Sequence, residues 1–560
     1  MKKLIPLILY FLSIGFITAQ QLTFQWVKGM GGASADIPRA SAIDASGNVY
    51  TIGNYNGVCD FDPGAGTSNL APIGSFDVFI SKLDASGNFV WAKSIGNFSN
   101  DFGNAIFVDA AANVYVTGSF QGQVDFNPGV GIDALTAYGS DDIFVLKLDA
   151  LGNFVWVKQL GGMASDNSWS VKVDASGNVY SAGSFQGSGD FDPGAGTTNL
   201  TSAGSDDVFV SKLDALGNFV WAKNMGGTAF DGSKSMVVDA TGNVYTTGSF
   251  QSTSDFDPNA GTFNLTSLAA EDIFISKLDA SGNFVWAKSL GGVSADNGYG
   301  MALDVSGNVF IAGSFQGTVD FDPGAAVMNI SSLGVYDAFV LKLDASGNFA
   351  WVKNVGGGSA SAYGFAITLD VANSIYFTGF YDYTVDFDPG AATVNLNCAG
   401  VKDGFISKLD ATGNFAWVIN VGGIGDDAAR SISVDASGNV YTSGFFQNTS
   451  DFYPGGVAPL TSAGSYDCFV YKMSQSGVGI AESNKLSPIR IYPNPSNGYF
   501  AIELNTNAQV IICNTLGEIV LNEVFDNGVQ FIDIRNSETG VYFVRLIADG
   551  KEMVSKLVKE

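Results

Sequence analysis

Residues 81–93 read SKLDASGNFVWAK: an apolar run, an Asp-to-Gly segment, and a second apolar run that contains a tryptophan. Within DASG, Asp84 takes position i, Ala85 and Ser86 the centre, and Gly87 position i+3, the arrangement of a type I turn closed by a left-handed residue. The flanks are rich in Val, Phe and Ile, so two strands folded back on each other are predicted, with Trp91 in the second. The pattern returns along the chain. Tryptophans at Trp26, Trp91, Trp156, Trp221, Trp286, Trp351 and Trp417 lie 65 residues apart five times and then 66. DFDPG begins at Asp60 and recurs in variants beginning at Asp125, Asp190, Asp255, Asp320, Asp386 and Asp451.

Each repeat holds four short segments rich in Val, Phe, Tyr and Ile, such as SVKVD, NVYSAGSF, DVFVSKL and NFVWAK, bounded by Gly and Asp clusters. Four-stranded units at this number predict an all-β fold, a seven-bladed β-propeller over residues 22–478. The ends of the array agree with ring closure. The first copy starts with only its last strand, TFQWVK around Trp26, and the seventh stops at Gly477, where its last strand should begin. With the strands of a blade named A to D from the inside outwards, DASGN-like turns join A to B and C to D on one face. The long B-to-C and D-to-A loops then share the other face, the expected ligand face. Of the fourteen short turns thirteen begin with Asp and twelve end with Gly, the exceptions being Ser474, Ala112 and Asn373. Asn tolerates the left-handed region; Ala112 there costs about 1–2 kcal/mol. Asp84, Gly87 and Trp91 are thus read as scaffold, the tryptophan packing blade against blade.

Composition narrows the function. The chain has 560 residues and a formal charge of −27, which opposes binding to a phosphate backbone, so no nucleic-acid partner is expected. Histidine is absent, which removes Ser-His-Asp and Cys-His nucleophiles and histidine-ligated zinc. Between residues 22 and 478 every carboxylate but Glu271 is Asp, the acid favoured in turns. Cys59, Cys398, Cys468 and Cys513 show no C-x-x-C spacing and read as small hydrophobes. Residues 1–19, with two lysines and an apolar core ending near Ala19, read as a secretory signal peptide. No later segment is apolar enough to span a membrane as a helix.

Two groups of residues carry candidate chemistry. In DFDPG, Asp60 and Asp62 are the first ligands that Ca²⁺ would take, set against a Pro-Gly turn with Phe61 packed inward. The second group is Asp36, Asp101, Asp166, Asp231 and Asp296, in the loops entering successive blades, which would supply a hydrolase or lyase acting on polysaccharide near the central channel. Their uniform recurrence argues against a catalytic centre, because catalysis needs one blade to differ. No catalytic residue and no cofactor is therefore predicted.

LDASGNFVWAK with VDASGNVYTTGSF resembles the SBBP-type bacterial β-propeller repeat, and more distantly the Asp, Gly, Trp signature of quinoprotein blades. In the quinoprotein pattern the glycine lies one residue further on. Sialidase-type Asp boxes place Gly two and Trp five residues after the Asp; here the offsets are three and seven. Neither enzyme family is supported. After a linker at 479–486, residues 487–560 contain IRIYPNPSNGYFAIEL, VIICNTLGEIV and GVYFVRLIADGKEMVSKLVKE. They resemble the type A C-terminal sorting domain of the type IX secretion system, the Por secretion tail, at Tyr492, Pro493, Asn494, Pro495, Gly498, Gly517, Gly540, Val541, Tyr542, Lys556 and Lys559. The resemblance implies a small Ig-like β-sandwich that engages the type IX translocon of a Gram-negative cell. It further implies passage through the periplasm, then removal of the tail with release or attachment at the outer-membrane surface. The expected function is a secreted or surface, non-catalytic module binding an extracellular glycan or protein.

Overall fold

A computed structural model describes residues 21–453, 458–476, 490–504, 506–514, 519–548 and 551–560. The predicted signal peptide, the 479–486 linker and Gly517 lie outside them. Among the described residues every regular element is a β-strand. Leu22–Gln475 form one compact unit, and Ser476–Glu560 belong to a second.

In the first unit the chain repeats one antiparallel, four-stranded group. In the first group Asp36–Ile43, Val49–Tyr55, Asp77–Leu83 and Phe89–Ile95 pair in that order, as strands A to D. Five more groups follow, their A strands at Phe102–Val108, Asp166–Val173, Asp231–Val238, Asn297–Leu303 and Ala362–Leu369. A last one takes its first three strands from Ala428–Val434, Val440–Asp451 and Pro459–Ser476, and its fourth from the other end of the unit, Gln21–Gly32. That junction is fastened by Gln25 Nε2 donating to Ser474 Oγ at 2.8 Å and by the Phe24 ring, 5.9 Å from that of Tyr471. The A strands touch one another round a complete cycle, with Ala428–Val434 against Asp36–Ile43. The arrangement is propeller-like.

The hydrophobic cores lie between neighbouring groups. Tyr50, Ile52, Val78 and Ile80 of the first pack with Val114, Val116, Phe120 and Phe144 of the second. Every residue of Val49–Tyr55 and Val114–Phe120 is buried, so these B strands read as continuous apolar or small-residue runs rather than alternating ones. Since one sheet cannot cover both of its faces, burial at about 25 cal/mol per Å² favours stacking the groups side by side. Trp91 packs against this shared core, and within its own group it meets Tyr50 edge-on at 6.2 Å. Trp26 and Trp221 donate Nε1 to the carbonyls of Ala85 and Ala280, at 3.3 and 3.2 Å, each in the C-to-D turn of the following group. Lys472 bonds the Ala85 carbonyl at 3.1 Å just as Lys82 bonds Ala150 and Lys212 bonds Ala280, so the junction of the chain ends repeats the contacts made elsewhere.

The turn chemistry is local. Gly87 N–H donates to the Asp84 carbonyl at 2.9 Å, Ser86 and Asn88 N–H donate to Asp84 Oδ1, and Gly87 sits at φ +78°. Ala112 and Asn373 adopt φ +63° and +60° at the same position, so the alanine does occupy the left-handed region. Cys59 and Cys468 are buried in one apolar cluster, and all four cysteines are free thiols.

The second unit has two sheets. Arg490–Tyr492, Tyr499–Leu504 and Gly528–Asp533 form one; Ile519–Phe525, Ala508–Asn514, Gly540–Ala548 and Lys551–Lys559 form the other. Phe500 and Ile502 of the first share a core with Val510, Val544 and Leu557 of the second.

Candidate functional site

The DFDPG segments act as latches between groups. Asp60 pairs through its backbone with Gly31 at the end of the preceding D strand, and Asp190, Asp255 and Asp451 pair likewise with Gly161, Gly226 and Gly422. The approach is close enough that a Cβ on Gly32 would lie 2.0 Å from the Val58 carbonyl oxygen, which is why Gly-Gly ends these strands. Where Asn97 replaces the second glycine, its side-chain amide donates to the carbonyl of Gln123 at 3.0 Å and to that of Gln121. The carboxylates serve the same loop. Asp60 Oδ1 accepts from Asp62 N–H at 3.0 Å and Ser68 N–H at 2.8 Å, and Asp62 Oδ1 from Gly64 N–H at 2.8 Å. Phe61 between them is fully buried, 4.9 Å from the ring of Phe79. Among the described residues no three His, Cys, Asp or Glu side chains converge as a metal site.

The Asp residues expected beside the central channel are placed elsewhere. Asp36, Asp101, Asp166, Asp231 and Asp296, with Asp427, are buried at the starts of the A strands. One oxygen of each accepts the N–H four residues back, from Gly32, Asn97, Gly162, Gly227, Gly292 and Gly423, at 2.7–2.8 Å. Asp101, Asp166, Asp296 and Asp427 also accept from the N–H of Gln121, Gln186, Gln316 and Gln447, which follow the buried run of each B strand. They tie the long loops together. Burial pushes Asp36 up to about 8, Asp101 and Asp296 up to about 7, and Asp166, Asp231 and Asp427 up to about 6. The backbone donors oppose that rise, and carboxylates of the adjacent group, Asp467 beside Asp36 and Asp77 beside Asp101, add to it.

The channel has a different lining. A cavity of about 510 Å³ is bounded by all seven A strands. Each of those strands carries a β-bulge, visible as a register shift that leaves one residue outside the A-to-B ladder. The bulged residues are Arg39, Asn104, Trp169, Lys234, Tyr299, Phe365 and Arg430, and all of them line the cavity. A bulge re-aims a side chain that strict alternation would place otherwise. At this position the repeats diverge, with six residue types at seven sites, whereas the B strands read NVY or close variants almost throughout.

The electrostatics of the ring run against those of the chain. No Asp or Glu lines the cavity, yet Arg39, Lys172, Lys234 and Arg430 do, in a protein of charge −27. Burial lowers the pKa of all four, Arg430 to about 10; the positive charge of Arg39 adds to the effect on Arg430 and Asp426 opposes it, as Glu271 and Asp206 oppose it at Lys234. Arg430 Cζ stacks 4.4 Å from the centre of the Phe365 ring and Lys234 Nζ lies 4.5 Å from that of Trp169, so aromatic faces hold the cations in place. The Nε atoms of Arg39 and Arg430 are buried without a hydrogen-bond partner. Such a ring can receive an anion and orient it. A second cavity, about 590 Å³, opens among the long loops of the first two groups, where Phe98 and Ile132 are 87% and 82% exposed.

Reading by recurrence missed the ring. Its signals were in the chain: Trp169 is the one tryptophan out of step with the 65-residue spacing, and Arg39 and Arg430 are the only arginines between residues 22 and 478.

In the second unit the residues that resemble the sorting motif are stitched to the last strand. Asn494 Nδ2 donates to the Lys556 carbonyl at 2.7 Å and its Oδ1 accepts from Val558 N–H at 2.9 Å. Ser496 N–H donates to the Val558 carbonyl, and Glu560 N–H to that of Ser496, each at 2.9 Å. Tyr492, Pro493 and Pro495 are exposed beside it, and the Tyr492–Pro493 and Asn494–Pro495 bonds are cis. Gly498 sits at φ +94°, where a Cβ would meet Arg535 Cα at 2.9 Å. Lys559 is buried and donates to the carbonyls of Arg535 and Ser537, and Tyr542 Oη donates to the Glu538 carbonyl at 2.6 Å. Gly540 opens the strand that holds Tyr542.

Comparison with known proteins agrees with the tail. Among curated proteins, an uncharacterized WD repeat-containing protein, L264, of Acanthamoeba polyphaga mimivirus is 22% identical over 518 residues, covering 79% of this chain and 37% of the viral one. Regulatory protein FlaEY of Caulobacter vibrioides is 25% identical over 468 residues, covering 78% of this chain and 46% of its own. The chain thus spans less than half the length of either relative. Among solved structures, the WD40 domain of Neurospora crassa Pan2 is 9% identical with a TM-score of 0.38, covering 84% of this chain and 98% of that one. PorZ, a surface component of the type IX secretion system of Porphyromonas gingivalis, is 12% identical with a TM-score of 0.17, covering 95% and 99%. Residues 490–560 match the secretion system C-terminal sorting domain family, the Por secretion tail, which marks the chain for type IX secretion to the cell surface or beyond.

Proposed function

We propose that the first unit is a closed seven-bladed β-propeller of the SBBP-like repeat type, acting as a non-catalytic binding module for an extracellular glycan or protein. The Ig-like tail delivers it through the type IX translocon to the cell surface or the medium. The cycle of A-strand contacts and the pairing of Pro459–Ser476 with Gln21–Gly32 support the closed ring. One observation carries the binding role: repeats that agree in their outer strands diverge at the bulge that faces the central cavity. Packing that every blade shares needs no such divergence, whereas a ligand needs an asymmetric site.

The hydrolase or lyase alternative would need the strand-start Asp residues to reach a substrate. They are buried and bonded to loop backbone instead. Incubating the full-length chain with a glycan and protein array, beside a polysaccharide-degradation screen, tests the reading. Binding without turnover is expected, and turnover of any substrate overturns it.

A further inference from the structure

We propose that the central cavity binds a sugar acid, a short saccharide or chain end bearing one carboxylate, held by Arg39 and Arg430; this rests on the binding role given above. The two guanidinium groups come from the first and last A strands, which are neighbours in the cycle, and they are close enough for one charge to depress the ionisation of the other. Two like charges at half-buried positions, with Nε atoms unpartnered, no carboxylate in the lining and only Asp426, outside the lining, acting on Arg430, are costly unless a further anion joins them. Arginine presents a planar fork of donors matched to a carboxylate. The Phe365 ring, 4.4 Å from Arg430 Cζ, holds the guanidinium without accepting a conventional hydrogen bond from it, which leaves its donors for that fork.

The rest of the lining suits a polyol. Ser41, Ser235, Thr368 and Ser433 bring hydroxyl groups to the wall, and Asn104 an amide. About 510 Å³ lies within the roughly 300–1,000 Å³ of small-molecule sites. The net charge of −27 repels a long polyanion, so the ligand is short.

Calorimetric titration of the full-length chain with digalacturonate, its neutral methyl ester, a sulfated disaccharide and inorganic sulfate decides the matter. Digalacturonate binding is expected, at least about tenfold tighter than the ester. Arg430→Gln and Arg39→Gln should each weaken it by about tenfold or more, with Arg430→Lys recovering part of the loss. Melting curves identify any variant that fails to fold; Lys234→Gln, at the opposite side of the ring, then gives a second reading, with a smaller loss expected. Equal affinity for acid and ester, or unchanged affinity in the folded arginine variants, overturns the sugar acid. Stronger binding of the sulfated disaccharide, or of sulfate alone, overturns the carboxylate. Binding of neutral glycans on the array, unaltered by Arg430→Gln, or no binding of any titrated probe, ends this proposal and leaves the binding role standing; an array on which nothing binds ends both.

Discussion

The outer strand of each four-stranded group carries tryptophan at one place, seven times, while the inner strand carries at its bulge Arg39, Asn104, Trp169, Lys234, Tyr299, Phe365 and Arg430. Both strands belong to the same sheet, and both lie at one of its edges. The outer edge meets an equivalent neighbour in every group, so one solution serves seven times. The inner edge meets a shared space, where each group can contribute something different. Uniformity therefore marks what the array needs in order to stand, and divergence marks where the proposed ligand would be told apart.

The comparison can be broken most directly by truncating one residue type in both places. Trp221→Ala removes the indole that packs on Tyr180 and bonds the Ala280 carbonyl, and should lower unfolding free energy by about 3 kcal/mol, with little change in ligand binding. Trp169→Ala, measured by the same urea titration, should cost less than half as much while weakening ligand retention. Equal stability losses would abolish the distinction.

A second test uses acid. The carboxyls at the A-strand starts are raised by burial to between about 6 and 8, above the unfolded value of about 3.9. Folded protein thus holds protons that unfolded chain has released. Their contribution is complete below the unfolded value and disappears as pH rises through 6 to 8. The turn carboxyls behave oppositely: against a desolvation that would raise it, N–H donors of Asn88 and Ser86 hold Asp84 below its usual range, so its contribution is lost only in strong acid. Thermal unfolding should therefore give a higher Tm at pH 5 than at pH 8, by an amount on the order of a few kcal/mol in stability. Asp36→Asn should narrow that difference.

The smallest effect is expected at the exception among the short turns. Ala112→Gly should stabilise the protein by about 1 kcal/mol by relieving φ +63°, seen as a higher urea midpoint.

Repetition made the strands, turns and junction legible in the chain, because a local signal repeated seven times averages out its own ambiguity. The turn bonds of Asp84 and the left-handed Gly87 were readable for this reason. The ring was not, since a bulge shifts register by one residue and so defeats the period-two rule that assigns side chains to faces. Nor does spacing tell that Asp36 turns to the Gly32 N–H rather than to the channel, a matter of four residues of loop. The pairing of Asp60 with Gly31 was hidden for another reason: it joins two groups, and the repeat was read within one.

Because Gln21–Gly32 completes the group begun by Ala428–Val434, the first strand made is the last to find its partner. That pairing waits on a contact across nearly the whole unit, and such non-local pairing is slow relative to the hairpins within each group. The entropy of that closure grows only with the logarithm of the intervening length, so a chain with a repeat added or removed would meet almost the same cost at the seam.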